Sequence, residues 1–320
     1  MPVCPSCTAA ADAADRFCGE CGAVLMPQSA AIAGCTCGGA PAAVDADGFC
    51  DDCGRRPAVV DPHDHAELEL STHFAGVTDR GRRHQTNEDA LLIAEGQSPI
   101  GAVRLLVVCD GVSTSSAADK ASGAAAEACR DSTLAAAAAG ATLHDAIAAG
   151  TAAAQAAVCA VAFPDGDPAP AATLMAALIR GRDAVLAWAG DSRAYLLAPE
   201  PRLLTRDDSW FNEIVAMGTL TEAQAKRHPN AHAITSCLGR LEDGETFSPH
   251  IEPLDLPDGA VLALCSDGLW NYAETPDAMA RLMLVDATGA DALAICRAMI
   301  AFANQQGGHD NSSVAMIRLT

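Results

Sequence analysis

Aromatic residues are scarce: three Trp, two Tyr and seven Phe in 320 residues, or 4%. The 50% of hydrophobic residues is therefore mostly alanine and aliphatics, which pack helices and strands with small side chains. Positive charge is also scarce, with 20 Lys and Arg against 41 Asp and Glu and a formal charge of −21. Such a chain repels nucleic acid and anionic membrane over a screening length of ~8 Å, so neither is expected as a partner. Long hydrophobic runs are missing too. The alanine-rich stretch from Ala117 to Val161 is broken by Asp119, Lys120, Glu127, Arg130, Asp131, His144 and Asp145, which excludes a membrane span there. The start, MPVCPSC, has neither a basic nor an apolar leader segment, and a soluble, cytoplasmic protein is expected.

Cysteine, by contrast, is abundant, and a reducing cytosol keeps thiols from pairing as disulfides. Eight of the fourteen precede residue 54, as Cys4, Cys7, Cys18, Cys21, then Cys35, Cys37, Cys50 and Cys53. In CPSC and CGEC a two-residue spacing lets both thiolates meet one ion from a tight knuckle, and the intervening gap suits a hairpin that closes a tetrahedral zinc site. The second set is less regular, because a single residue separates Cys35 from Cys37. A redox or disulfide role is the alternative for both sets. Two structural zinc ions, one per ribbon, are expected over residues 1–56, where too few large apolar side chains exist to form a core without metal. A closed four-thiolate shell has no open position, so the ribbons are expected to dock or support rather than catalyse. The six later cysteines, Cys109, Cys129, Cys159, Cys237, Cys265 and Cys296, stand alone and are expected to be buried as small hydrophobes. Residues 57–71, with two prolines, four acids, His63 and His65, are expected to form a linker.

From residue 72 to 320, short apolar runs alternate with helical stretches. Strands are expected over 104–109, 173–179, 184–188, 194–197, 260–265 and 313–319, and helices over 117–131, 142–161, 209–217, 221–227 and 290–304. Runs of strands with helices outside them argue a mixed α and β domain rather than repeated βαβ units. Acids recur at strand ends: Asp110 after RLLVVC, Asp267 after VLALCS, Asp310 before SSVAMIRL, and Asp89 before ALLIA. One acid there is a turn residue, but four converging on one sheet edge cannot all stay ionised without cations among them. Oxygen ligands without thiolate select Mg²⁺ or Mn²⁺, and two such ions can acidify a water and present it to phosphorus.

The segments TDRGRRHQTNEDA, VVCDGV, AGDSRAY, LTRDDSW, SDGLW and HDN, in this order, resemble the motifs of type 2C serine/threonine protein phosphatases. The N-terminal segment is similar to the double zinc ribbons of bacterial regulatory proteins. The resemblance implies an α+β fold, two antiparallel β-sheets in a central sandwich flanked by helices and preceded by the ribbons. It implies two Mn²⁺ or Mg²⁺ ions. Asp110 would bridge both, Glu88 and the Gly111 carbonyl would serve one, and Asp267 and Asp310 the other. Asp89 would orient a water, Asp191 matches a position for a third ion, and Ser209–Pro229 matches a flap over the cleft. Phosphorylated proteins would be the substrates, with a partner Ser/Thr kinase or a docking protein engaged through the ribbons. Three features depart from the family pattern: His84 stands where an arginine often grips phosphate, with Arg83 as a substitute; VSTSS follows Asp110 and Gly111; and Asn271 follows SDGLW. An inactive phosphoprotein-binding scaffold is the competing reading. The presence of Glu88, Asp89, Asp110, Asp191, Asp267 and Asp310 argues against it.

Overall fold

The computed structural model describes residues 64–239, 241, 246–284 and 291–319. The two expected zinc ribbons, with Cys4, Cys7, Cys18, Cys21, Cys35, Cys37, Cys50 and Cys53, lie outside the described residues. In chain order the strands are β1 (His65–Ser71), β2 (Phe74–Asp79), β3 (Asp89–Ser98), β4 (Gly101–Asp110), β5 (Ala171–Ala172), β6 (Leu174–Arg180), β7 (Asp183–Ala189), β8 (Arg193–Ala198), β9 (Arg202–Leu203), β10 (Leu238–Gly239), β11 (His250–Asp255), β12 (Val261–Cys265) and β13 (Ser312–Arg318). The helices are α1 (Ala118–Ala138), α2 (Leu143–Cys159), α3 (Trp210–Ala216), α4 (Glu222–Ala225), α5 (Asp267–Trp270), α6 (Pro276–Leu284) and α7 (Ala292–Gln305).

Two antiparallel sheets carry the fold, in the orders β1-β2-β13-β12-β8-β9 and β11-β7-β6-β4-β3, with β5 and β10 as a separate short pair. Strand side chains alternate between faces, and here both faces are buried. In β4, Leu106 and Val108 enter a core shared by the two sheets, while Val103, Leu105, Val107 and Cys109 face α1 and α2. In β12, Leu262 and Leu264 join the shared core, while Val261, Ala263 and Cys265 pack beneath α5, α6 and α7. That two-sided burial explains why these strands are continuous apolar runs rather than alternating ones. The layers are therefore helix, sheet, sheet, helix.

Small side chains let the helical layers sit close. At Gly150 of α2 an added Cβ would lie 1.9 Å from Thr133 Oγ1 and 2.9 Å from the Cys129 carbonyl of α1, so only glycine fits this crossing. Thr142 caps α2 by accepting from the Asp145 N–H, and Asp291 caps α7 by accepting from the Ala294 N–H.

The linker expected over 57–71 is corrected across His65–Ser71, which is β1, paired with β2. Its Ala66, Leu68, Leu70 alternation is faint beside two acids, Glu67 and Glu69, and the strand is held from outside as well: Glu67 accepts from Arg297 of α7 at 2.5 and 2.8 Å, and His65 Nδ1 lies 2.7 Å from Asp79. Strands β2, β3 and β11 and helix α6 also go beyond the expected elements, and α1 runs seven residues past its expected end. Of the later cysteines, Cys109, Cys129, Cys265 and Cys296 are buried, whereas Cys159 is exposed and Cys237 half-buried.

Candidate active site

The strand order brings the acids to one end of the sandwich. Asp89 opens β3 and Asp110 closes β4, and the two are direct cross-strand partners. Asp267 follows β12 and begins α5, Asp310 lies just before β13, and Asp191 sits in the turn between β7 and β8. Backbone bonds tie these ends together: the Gly111 N–H donates to the Glu88 carbonyl at 3.0 Å, and the Thr173 N–H to the Asp110 carbonyl at 2.7 Å. The Asn311 side chain locks the loop before β3, accepting from the Glu88 N–H at 2.8 Å and donating to the carbonyls of Arg80 and Thr86 at 2.8 and 3.1 Å. Gly268 completes the joint, since a Cβ there would lie 1.9 Å from the Asn311 carbonyl.

Asp89 is only 8% exposed. Its Oδ2 accepts from Ser266 and Ser313, both at 2.7 Å, while Oδ1 is buried with no partner among the described residues. Burial, reinforced by Asp267 and Asp310, pushes its carboxyl up to about 7. Burial pushes the Asp110 carboxyl well above the usual range, with Asp89, Asp267, Asp191 and Asp310 adding to it. Burial and Asp310 raise Asp267 to about 6, against the lowering effect of hydrogen bonds from Asp110 and Asn271, and burial with Asp267 and Asp207 raises Asp191 to about 8. Each carboxylate penalises its neighbours. The nearby Arg193 offsets only part of the rise at Asp191, because Asp207 holds its guanidinium at 2.7 and 2.9 Å over the Trp270 ring.

This donor set fits hard divalent cations: an orphaned buried carboxylate oxygen and several acids pressed into one another's field, with no thiolate among these groups and one imidazole, that of His84, beside Asp310. Among the described residues no three His, Cys, Asp or Glu side chains close on one point. Mg²⁺-type sites tolerate this, since they use one or two carboxylates and keep several waters.

A family model for protein phosphatase 2C matches residues 78–305, most of the chain. The chain belongs to the protein phosphatase 2C family. The protein phosphatase PhpP of Streptococcus pneumoniae serotype 2 is 32% identical over 148 residues, covering 46% of this chain and 57% of that protein. The chain thus spans little more than half the length of the curated relatives it matches. The Ser-Thr phosphatase MsPP from Mycobacterium smegmatis, solved with cacodylate, is 28% identical with a TM-score of 0.61, covering 78% of this chain and 99% of that one. The catalytic domain of the phosphatase PstP, solved with two manganese ions, is 26% identical with a TM-score of 0.58, covering 80% of this chain and all of that one.

Within this protein phosphatase 2C domain, the departures from the family pattern have definite partners. His84 Nε2 lies 3.2 Å from Asp310 Oδ1, while Arg82 and Arg83 are exposed beside it. Ser113, the second residue of VSTSS, donates to Glu88 Oε2 at 2.6 Å. Asn271 donates to Asp267 Oδ2 at 3.3 Å. Ser266, Ser313, Ser113 and Asn311 are the supporting residues that sequence reasoning missed. Each lies inside or directly beside a quoted motif, and that adjacency was the available signal. In the segment expected to form a flap, Ser209 caps α3, Trp210 stacks on His228 at 4.2 Å, and Met217 is 73% exposed. Among the described residues no helix is long and apolar enough to cross a membrane.

Proposed function

We propose that this chain is a metal-dependent phosphatase that hydrolyses phosphoserine and phosphothreonine in proteins. Asp110 would bridge two Mg²⁺ or Mn²⁺ ions, with Glu88 and the Gly111 carbonyl on one and Asp267 and Asp310 on the other; Asp191 matches a third position. Bound there, the ions supply a Lewis acid for the phosphoryl oxygen and an acidified water as nucleophile. Asp89 would orient that water. Its Oδ2 is fixed by two serines, which leaves Oδ1 to accept and hold a proton. Ser113 and Asn271 restrain the Glu88 and Asp267 carboxylates, which reduces their freedom before a cation arrives. His84, beside Asp310, or the exposed Arg83 next to it would contact the substrate phosphate.

The observation that carries this reading is the Asp89 carboxylate, buried and half-satisfied within a ring of mutually destabilised acids. The competing scaffold reading gives no reason to maintain such a cluster. The eight N-terminal cysteines are proposed to hold two structural zinc ions, with the ribbons recruiting a phosphorylated substrate, a kinase or a docking protein. The test is hydrolysis of a phosphothreonine peptide with and without added Mn²⁺ or Mg²⁺. Asp110→Asn and Asp267→Asn are each expected to lower kcat by more than about 100-fold, since loss of even an outer-shell partner costs about 10- to 100-fold. Turnover without divalent cation, or near wild-type turnover in either variant, would refute the assignment.

A further inference from the structure

The pole of the sandwich opposite the carboxylates contains a cavity of about 450 Å³. It lies between the β1–β2 turn, the start of β4, the β6–β7 turn, the approach to β12 and the end of β13. Strand β13 runs from the acid end to this pole, and its seven residues at ~3.3 Å each separate the two by roughly 20 Å.

The lining is unlike the rest of this acidic chain. Arg104, Arg182 and Arg318 contribute guanidinium groups and His73 an imidazole, against Asp258 as the acid in the lining, in a protein of net charge −21. Phe74, Ile317 and Leu319 give the cavity an apolar floor. Among the described residues the half-buried Arg318 guanidinium has no acidic partner. Arg182 is held by Asp258 at 2.6 Å and lies 3.9 Å from Asp255, and Arg104 is held by Glu95 at 3.2 Å, all exposed pairs. Surface pairs of this kind contribute only ~0–1 kcal/mol, so either guanidinium can turn to another anion at little cost. Guanidinium forks match the oxygens of a phosphate bidentately, and the volume suits a ligand of up to about nucleotide size.

We propose that this cavity is a second site, separate from the metal cleft, that binds a small phosphate-bearing anion between Arg318, Arg182 and Arg104 over the apolar floor. It does not depend on the proposed hydrolytic activity, because none of its residues belongs to the cleft.

Hydrogen exchange on the full-length, Mg²⁺-loaded protein, with and without inorganic phosphate, locates the anion; calorimetric titration gives its affinity. Phosphate is expected to slow exchange in segments 71–74, 181–182, 257–260 and 317–319. Arg318→Ala and Arg182→Ala are each expected to weaken binding at this pole by about tenfold or more, the loss of one charge-assisted contact. Arg318→Lys should keep part of that binding and controls for folding, and hydrolysis of a small phosphate ester should be unchanged in all three. A nucleoside monophosphate as a second probe identifies the source. Tighter binding than phosphate supports an organic phosphate seated on the apolar floor, and equal binding supports free phosphate as the ligand. Protection confined to cleft segments around 84–89, 110–113 and 267–268, protection at the far pole that persists in both alanine variants, or no binding of either probe there would overturn the proposal.

Discussion

The acid cluster should make the metal-free protein lose stability as pH rises, and divalent cation should abolish that loss. In the folded chain Asp267 is raised from 3.8 to about 6, so folding favours its protonated form. An acid raised in this way weakens the fold progressively as pH climbs from the unfolded value through the folded one, and the penalty is constant above both. The two values differ enough for Asp267 alone to cost about 3 kcal/mol at pH 8. Asp89, raised to about 7, acts in the same direction. The two feel each other's charge, so their costs do not simply add. For a domain of this size about 3 kcal/mol corresponds to a melting shift of roughly 6–12 °C. The assay is calorimetric melting of chelator-treated protein from pH 4.5 to 8, repeated with saturating Mg²⁺. The metal-free curve should fall across this range, and the gap to the Mg²⁺ curve should widen. General charge repulsion could mimic the fall, so the decisive comparison is Asp267→Asn, which should be more stable than wild type when both are metal-free at pH 8, while losing activity. A metal-free melting temperature that is flat or rising with pH, or an Asp267→Asn protein less stable than wild type at pH 8, would refute the reasoning.

Gly268→Ala should destabilise the fold by about 1–3 kcal/mol or more, because the new Cβ meets a backbone carbonyl 1.9 Å away that Asn311 cannot withdraw without moving the Glu88 loop; chemical denaturation measures it. His84→Arg replaces a ring that offers one phosphate contact with a guanidinium that offers a bidentate one, so KM should fall; an unchanged KM would assign His84 to holding Asp310 rather than to phosphate. Cys18→Ser should cost about one zinc per chain by elemental analysis and leave small-ester hydrolysis nearly intact; retention of two zinc ions would break the pairing of Cys4, Cys7, Cys18 and Cys21.

Much of the catalytic end was legible because each acid terminates an apolar strand, and the strand order then decides that the ends coincide. Asp89 and Asp110 face each other only because β3 and β4 form a hairpin in register, which the sequence hints at and pairing completes. What stayed hidden depends on contacts distant in sequence. The Ser266 and Ser313 hydroxyls are unremarkable until β12 and β13 pair and deliver both to one oxygen of Asp89. Strand β1 was obscured because its charges read as solvated linker, although Arg297, 230 residues away, is what offsets Glu67. The three arginines at the far pole lie in three unrelated segments, and no local pattern links them.

The last strand of the chain lies in the middle of its sheet: β13 is flanked by β2 and β12, not placed at an edge. During synthesis the first sheet therefore remains an open template, with β2 and β12 both lacking their shared neighbour until residues 312–318 have left the ribosome. The same segment brings Asp310 and the Asn311 clamp. The acid cluster is thus expected to stay incomplete until this segment has emerged, and a truncation ahead of Asp310 would remove part of the proposed metal site together with the closure of the sheet.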